Sequence, residues 1–164
     1  MTKAKKAVPK GYHTVTPVLT FDNTRKAIDW YKRALGATEL AQTLHPNGKV
    51  LHAEIQIGES RVMLQDAIAD AKTPTMLGGS PARMWVYVRD CDALFRQALA
   101  AGATETMPMS NQFWGDRSGM LDDPFGYSWW ISSHKEDLTT EEMELRRADF
   151  FKQTSGRLPG TAAA

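Results

Sequence analysis

One cysteine, Cys91, is all that this chain of 164 residues carries. An internal disulfide and a multi-cysteine metal site within one chain are therefore excluded. Charge of one sign is also lacking. The formal balance is +1, which gives no dominant field for a nucleic acid or an anionic membrane. No apolar run approaches the roughly 18 residues of a membrane-spanning helix. A glycine-rich phosphate loop, a Ser-His-Asp spacing and a zinc motif are all missing. The opening residues up to Lys10 are basic but hold no apolar segment, so residues 1–11 read as a flexible leader, its lysines solvated, and not as a secretory signal. A cytoplasmic protein is the expectation.

Aromatic residues are not scarce, and they are unevenly placed. Three of the five tryptophans lie between Phe113 and Trp130. That stretch turns at Asp122-Asp123-Pro124-Phe125-Gly126, with proline and glycine where a tight turn uses them. Aromatic and serine residues on both sides suit half-buried strands. The stretch reads as a hairpin with an aromatic face decorated by polar groups.

Hydrophobic periodicity organises the rest. Residues 13–21 alternate, with Val15, Leu19 and Phe21 on one side and Thr14, Thr16 and Thr20 on the other. Pro17 places this strand at an edge or a bulge. Asp22 or Asn23 can cap a helix from Thr24 to Leu35, with Ala27, Ile28, Tyr31, Ala34 and Leu35 as its apolar stripe and Gly36 as its left-handed end. Strands follow over 38–44, over Leu51 to Ile57 beyond a Pro46-Asn47-Gly48 turn, and over Arg61 to Gln65. Residues 67–82 are rich in proline and glycine and read as a linker or lid. The order then repeats: a strand from Arg83 to Val88, a helix capped by Asp90 or Asp92 and ended by Gly102, a strand from Thr104 to Met109, then the aromatic hairpin. Gly36-Ala37-Thr38-Glu39 recurs as Gly102-Ala103-Thr104-Glu105, 66 residues on. With the same element order around it, that match indicates duplicated halves. Thr139 and Glu142 form a capping box for an added helix, which Met143, Phe150 and Phe151 could dock. The tail from 155 to 164 reads as frayed.

Two β-α-β-β-β modules, an Asp-Pro-x-Gly turn before the last strand and a helix ending in Gly-Ala resemble the vicinal oxygen chelate superfamily, which includes glyoxalase I, extradiol dioxygenases and bleomycin resistance proteins. His52-Ala53-Glu54 and Phe113-Trp114 are most similar to its PhnB-like subgroup. The resemblance covers roughly residues 12–134. It implies an α+β fold, with a first module over 12–66 and a second over 83–134 lining a shared curved cavity, a C-terminal helix over 135–154, and a homodimer. Carrying the superfamily's metal positions onto this chain gives Thr16, Leu64, Arg83 and Trp130. None is a histidine or a carboxylate, so the usual metal mechanism is not expected. The residues name no cofactor, and a divalent metal is not the favoured one.

Strand parity selects the residues that face away from the helices. They are Thr14 and Thr16; His52, Glu54 and Gln56; Arg83, Trp85 and Tyr87; Trp114, Asp116, Ser118 and Met120; and Trp130. His52 and Glu54 are candidates for a general acid–base pair, with Asp116 assisting from the corresponding strand position of the second module. The same three could form a displaced metal site, or His52 and Glu54 a polar lining that only binds ligand. Thr16, Gln56, Arg83, Trp85, Tyr87, Trp114 and Trp130 are the candidate ligand contacts. Arg83 could hold an anionic group or pair with Asp116 or Glu54, and the tryptophans could stack on a planar or cationic molecule or simply pack. Trp30 and Trp129 fall on the helix side as core. Cys91 starts a helix between two aspartates, which disfavours a thiolate. The expected function is binding of a small organic molecule without the superfamily metal ligands. The alternative is a lyase, isomerase or dioxygenase-type enzyme using His52, Glu54 and Asp116.

Overall fold

The computed structural model describes residues 4–154. The first residues of the expected leader and the expected tail lie outside that range. The chain divides into two compact units between Gly79 and Ser80. Among the described residues no helix is long and apolar enough to cross a membrane.

The first unit runs β1 (Val18–Phe21), α1 (Thr24–Leu35), β2 (Thr38–Leu44), β3 (Val50–Ile57) and β4 (Ser60–Asp66), with a one-turn helix α2 (Pro74–Leu77) in the expected linker. Its four strands lie in the order β1-β4-β3-β2. The β1–β4 pair is parallel and the others are antiparallel. Asn23 caps α1 by accepting from Lys26 N–H, and Gly36 ends it at φ 64°. The stripe Ala27, Ile28, Tyr31, Ala34 and Leu35 is buried, as helical spacing requires. Ala53, Ile55, Val62 and Leu64 form the buried side of the sheet. The Asp66 carboxylate accepts from Thr24 N–H and Val50 N–H, both at 2.7 Å, and so ties the start of α1 to the sheet. Burial pushes this carboxyl up, but the two backbone donors outweigh it and hold the group below the usual range.

The second unit repeats the plan: β5 (Arg83–Tyr87), α3 (Cys91–Ala100), β6 (Thr104–Asn111), β7 (Asp116–Asp122) and β8 (Ser128–His134), then α4 (Thr140–Gln153). The strand order is β5-β8-β7-β6, again with one parallel pair, β5–β8. Asp90 caps α3. Cys91 N–H donates to Ser133 Oγ at 3.0 Å, so Ser133 takes the part that Asp66 plays in the first unit. Asp123 Oδ1 accepts from the N–H groups of Phe125 and Tyr127, and its Oδ2 accepts from Trp129 Nε1. The turn is thereby anchored to the buried tryptophan. Thr139 and Glu142 close the capping box of α4. The helix meets its unit through Phe150 and Phe151 against Phe113, at ring-centroid distances of 5.2 and 6.5 Å.

Three expectations fail locally. β1 begins at Val18 and not at residue 13, so Thr14 and Thr16 are not strand residues. Val15 is 83% exposed instead of core. Pro17 offers no N–H, and the regular pairing with β4 starts just beyond it. In β3, Leu51 was expected in the core, but Val50 is buried and Leu51 is exposed. A register shift between Thr43 and Leu44 adds one residue opposite β2 and reverses the alternation there.

Candidate functional site

Each sheet packs a helix on one side; the other, its open side, is free of that helix, although Met107, Asp116, Ser118, Met120 and Ser132 of the second sheet are buried there. On the open side of the first sheet, His52 Nε2 lies 3.1 Å from Glu54 Oε1. Arg61 Nη1 donates to Glu54 Oε2 at 3.0 Å. The Arg61 guanidinium carbon stands 4.6 Å from the centre of the Tyr12 ring. Hydrogen bonds from Tyr12 and His52, with the nearby Arg61 charge, hold the Glu54 carboxyl below its ordinary range, while the same bond to Glu54 raises the Tyr12 phenol. Gln56 shares this side of β3 but bonds the Gly58 carbonyl. Thr16 lies in the segment before β1, its hydroxyl donating to the His13 carbonyl. Arg61 and Tyr12 are the members that the sequence reading missed. Arg61 was accessible from parity on β4, whereas nothing in the local pattern marks Tyr12.

The open side of the second sheet is ordered in rungs across all four strands. One rung is Trp85, Trp130, Met120 and Met107. The next is Tyr87, Ser132, Ser118 and Ser110, a hydroxyl on every strand. Beyond it His134 pairs with Asp116. Trp85 and Trp130, direct neighbours in the β5–β8 ladder, stack with centroids 4.4 Å apart and planes within 4°. Trp114 leans against both at 6.4 and 6.2 Å, tilted by 57° and 56°. Trp85 is 44% exposed and Tyr87 60%, so this aromatic group is not a sealed core.

Asp116, itself buried, gathers the cluster. Its Oδ2 accepts from Tyr87 Oη at 2.8 Å and Trp114 Nε1 at 3.0 Å. Its Oδ1 is 2.8 Å from His134 Nδ1, and His134 Nε2 is 3.0 Å from Asp137. Asp137 first and Asp116 second raise the His134 imidazole. Burial and the Asp116 carboxylate raise the Tyr87 phenol. Arg117, one residue on, points to the other side of the sheet and grips Asp92 with two bonds of 2.7 Å. Gly115 makes the entry to β7 possible. At φ 94°, a Cβ there would strike the Glu136 carbonyl oxygen, and Gly115 O accepts from both Lys135 N–H and Glu136 N–H.

The structure brings His52 together with Glu54, and Asp116 together with Tyr87, Trp114 and the Trp85–Trp130 stack. Arg83 is exposed at the start of β5, and its expected pairing with Asp116 or Glu54 is replaced by His134 and Arg61 in those two places. Asp116 is also not the repeat counterpart of His52 or Glu54. The 66-residue offset puts Ser118 and Met120 there. Leu64 was carried over as a metal position, but it is fully buried beside Ala53 and Leu19, on the helix side. His134 is the residue missed in the second unit. It continues the Trp130 parity by four residues, a signal available from alternation alone.

The family model described as the Glyoxalase/Bleomycin resistance protein/Dioxygenase superfamily matches residues 12–131. An uncharacterized protein of Mycobacterium bovis is 38% identical over 135 residues, covering 79% of this chain and 89% of that protein. TioX from Micromonospora sp. ML1 superposes with a TM-score of 0.60 at 25% identity, over 77% of this chain and all of its own. A Bacillus cereus PhnB protein, titled a putative 3-demethylubiquinone-9 3-methyltransferase, superposes at 0.58 with 16% identity, over 74% of this chain and 99% of its own, a likeness of fold.

The metal that such folds can carry finds a poor donor set here. Away from the helices, β4 offers Arg61, Met63 and Gln65, and β5 offers Arg83, Trp85 and Tyr87. The one histidine on β8 already bonds a carboxylate through each ring nitrogen. Among the described residues no three His, Cys, Asp or Glu side chains are grouped to hold an ion.

Proposed function

The chain belongs to the glyoxalase/bleomycin resistance protein/dioxygenase superfamily, and from that premise we propose that it binds a small planar organic molecule on the aromatic side of its second sheet. One observation carries this reading: Trp85 stacks on Trp130 beside Trp114, yet Trp85 and Tyr87 remain largely exposed. A stacked tryptophan pair with an uncovered ring offers a flat apolar surface, and aromatic stacking contributes about 0.5–1.5 kcal/mol beyond area burial. Asp116 fixes the orientation of Tyr87 and Trp114, so little side-chain entropy is lost on binding. Trp129, buried on the helix side, takes no part. Arg83, at the end of the same sheet side, is the further candidate contact there, while Thr16 and Gln56 are candidate contacts of the first unit by itself. The test is a screen of planar compounds by tryptophan quenching. A hit should lose quenching in Trp114→Phe and in Trp130→Phe. Quenching that survives intact in both variants refutes the assignment.

A catalytic reading is favoured by the hydrogen bond between His52 and Glu54. In it, His52 accepts and returns a proton while Glu54, held charged by Tyr12 and Arg61, steadies the imidazolium. Given a substrate, His52→Gln would then lower turnover by about 10²–10⁴-fold with little change in affinity. Unchanged turnover leaves binding alone. The same reading takes the protein as a PhnB-like cytoplasmic homodimer whose partner is a small molecule and not a nucleic acid or membrane. A monomer by light scattering would remove the dimer.

A further inference from the structure

The geometry points to a subsite on the second sheet for the carbonyl oxygen of a planar ligand, with Ser118 Oγ, Ser132 Oγ and Trp130 Nε1 as its hydrogen-bonding groups. It rests on the reading that the aromatic side binds an organic molecule. All three atoms are buried with no hydrogen-bond partner among the described residues, and Ser118 and Ser132 are 0% exposed. Buried polar atoms are almost always paired, because an unmet one carries its full desolvation cost. Here three occur on one side of one sheet, in two adjacent rungs. Ser118 and Ser132 are direct partners across β7 and β8, and Trp130 precedes Ser132 by two residues on β8.

The outer members of the same hydroxyl rung are satisfied. Tyr87 donates to Asp116, and Ser110 accepts from Gln112. Only the central two are left, next to the stacked tryptophans. Alternate residues of a strand stand about 7 Å apart. An oxygen attached to a fused-ring molecule on the tryptophan rung is therefore within reach of the serine rung once the side chains that close both hydroxyls off from solvent yield to it.

The chemistry of the three atoms selects the ligand. An indole N–H only donates, and hydroxyls can donate, so together they suit an acceptor. A cation would leave the Trp130 N–H unpaired. An anion would be buried without a counter-charge, since His134 is already shared by Asp116 and Asp137. A neutral ketone, amide or quinone oxygen fits.

The full-length protein is titrated with 9-fluorenone against fluorene and with 1-indanone against indane. The members of each pair match in ring system and differ in one carbonyl. Dissociation constants come from tryptophan quenching, and ¹⁵N-tryptophan labelling follows the indole N–H signals. Each ketone should bind about tenfold tighter than its hydrocarbon, the worth of two modest hydrogen bonds. The Ser118→Ala, Ser132→Ala double variant should lose that preference and keep hydrocarbon affinity. The Trp130 indole proton should move downfield with the ketones alone. Without ligand, the double variant should melt no lower than the wild type, because it removes unmet hydroxyls. Equal binding of ketone and hydrocarbon overturns the carbonyl subsite and leaves the aromatic surface standing. A double variant that melts lower shows hydroxyls already satisfied by bound water and overturns the subsite as well. No quenching by any of the four compounds overturns both readings.

Discussion

Replacing Asp116 should separate charge from hydrogen bonding in the second unit. The wild-type carboxylate serves three donors: Tyr87 Oη and Trp114 Nε1 on one oxygen, His134 Nδ1 on the other. Asparagine has the same shape. Its single oxygen can keep Tyr87 and Trp114, and its amide can face a neutral His134 ring that accepts through Nδ1. The loss is then the charge assistance of the retained bonds, about 1 kcal/mol. Alanine keeps nothing. The half-buried Trp114 N–H is stranded at about 1–3 kcal/mol, while the exposed Tyr87 hydroxyl turns to water at little cost. A small void at a buried position adds to this, so Asp116→Ala should cost about 2–4 kcal/mol. Urea unfolding at pH 6 and pH 9 provides the assay, with the slope expected to stay constant. The pH dependence has a fixed sign. Asp137 and Asp116 raise His134 in the folded state above the ordinary imidazole value of about 6.5. Its stabilising contribution is complete below that value and disappears as pH climbs through the raised one. The gap between wild type and Asp116→Asn should therefore be wider at pH 6 than at pH 9. Equal losses for Asn and Ala, or a gap that widens with pH, would refute the role given to Asp116.

Gly115→Ala should destabilise the protein by about 1–3 kcal/mol, from positive φ and the clash with Glu136, and should perturb the His134 resonances; an unaltered urea midpoint would show that the loop can move aside. Protein prepared without chelator should hold no stoichiometric divalent metal after dialysis, since Arg61, Met63, Arg83 and Trp130 are poor donors. One ion per chain by plasma emission, lost in His52→Ala, would install the displaced site instead. Asp66→Asn should cost about 1.5–3 kcal/mol, because Thr24 N–H and Val50 N–H bond different carboxylate oxygens and an amide keeps only one of the two as an acceptor. The wild type should lose the corresponding stability as pH falls from the ordinary carboxylate value of about 3.9 through its lowered one, as followed by circular dichroism.

Most of the architecture was legible because it depends on local patterns. Helix spacing, Gly36 after α1, the Thr139–Glu142 box and the Asp-Pro-Phe-Gly turn each work within a few residues. The aromatic face followed from parity, which places Trp130 and Trp129 on opposite sides whatever else the chain does. What failed depends on distant partners. Alternation from Thr14 to Phe21 is a proper strand pattern, yet strand pairing with β4 begins only after Pro17. The bulge opposite Thr43 exchanges Val50 and Leu51, and no residue at 50 or 51 announces it. Tyr12 reaches Arg61 and Glu54 across more than forty residues of sequence. His134 is different. Its parity was readable, and it was passed over because the aromatic run ends at Trp130.

The internal repeat itself separates what holds the fold from what can carry function. Matched through the hairpins, with an offset of 66 residues before the turn and 67 after it, the helix-side positions keep one character. Ala53 corresponds to Gly119, Ile55 to Leu121, Val62 to Trp129 and Leu64 to Ile131, apolar or small throughout, while Asp66 corresponds to Ser133, both anchoring a helix start. These positions answer to close packing under α1 and α3, which tolerates only apolar exchanges of suitable size. The open-side positions keep nothing. His52 corresponds to Ser118, Glu54 to Met120, Arg61 to Ser128, Met63 to Trp130 and Gln65 to Ser132. A face that answered only to solvent would carry exposed charge, yet in the second copy it holds the buried Ser118 and Ser132, a methionine and stacked tryptophans. The first copy instead holds an imidazole, a carboxylate and a guanidinium in mutual contact. Packing under the helices cannot explain either set, because both lie on the sheet side that the helices leave uncovered.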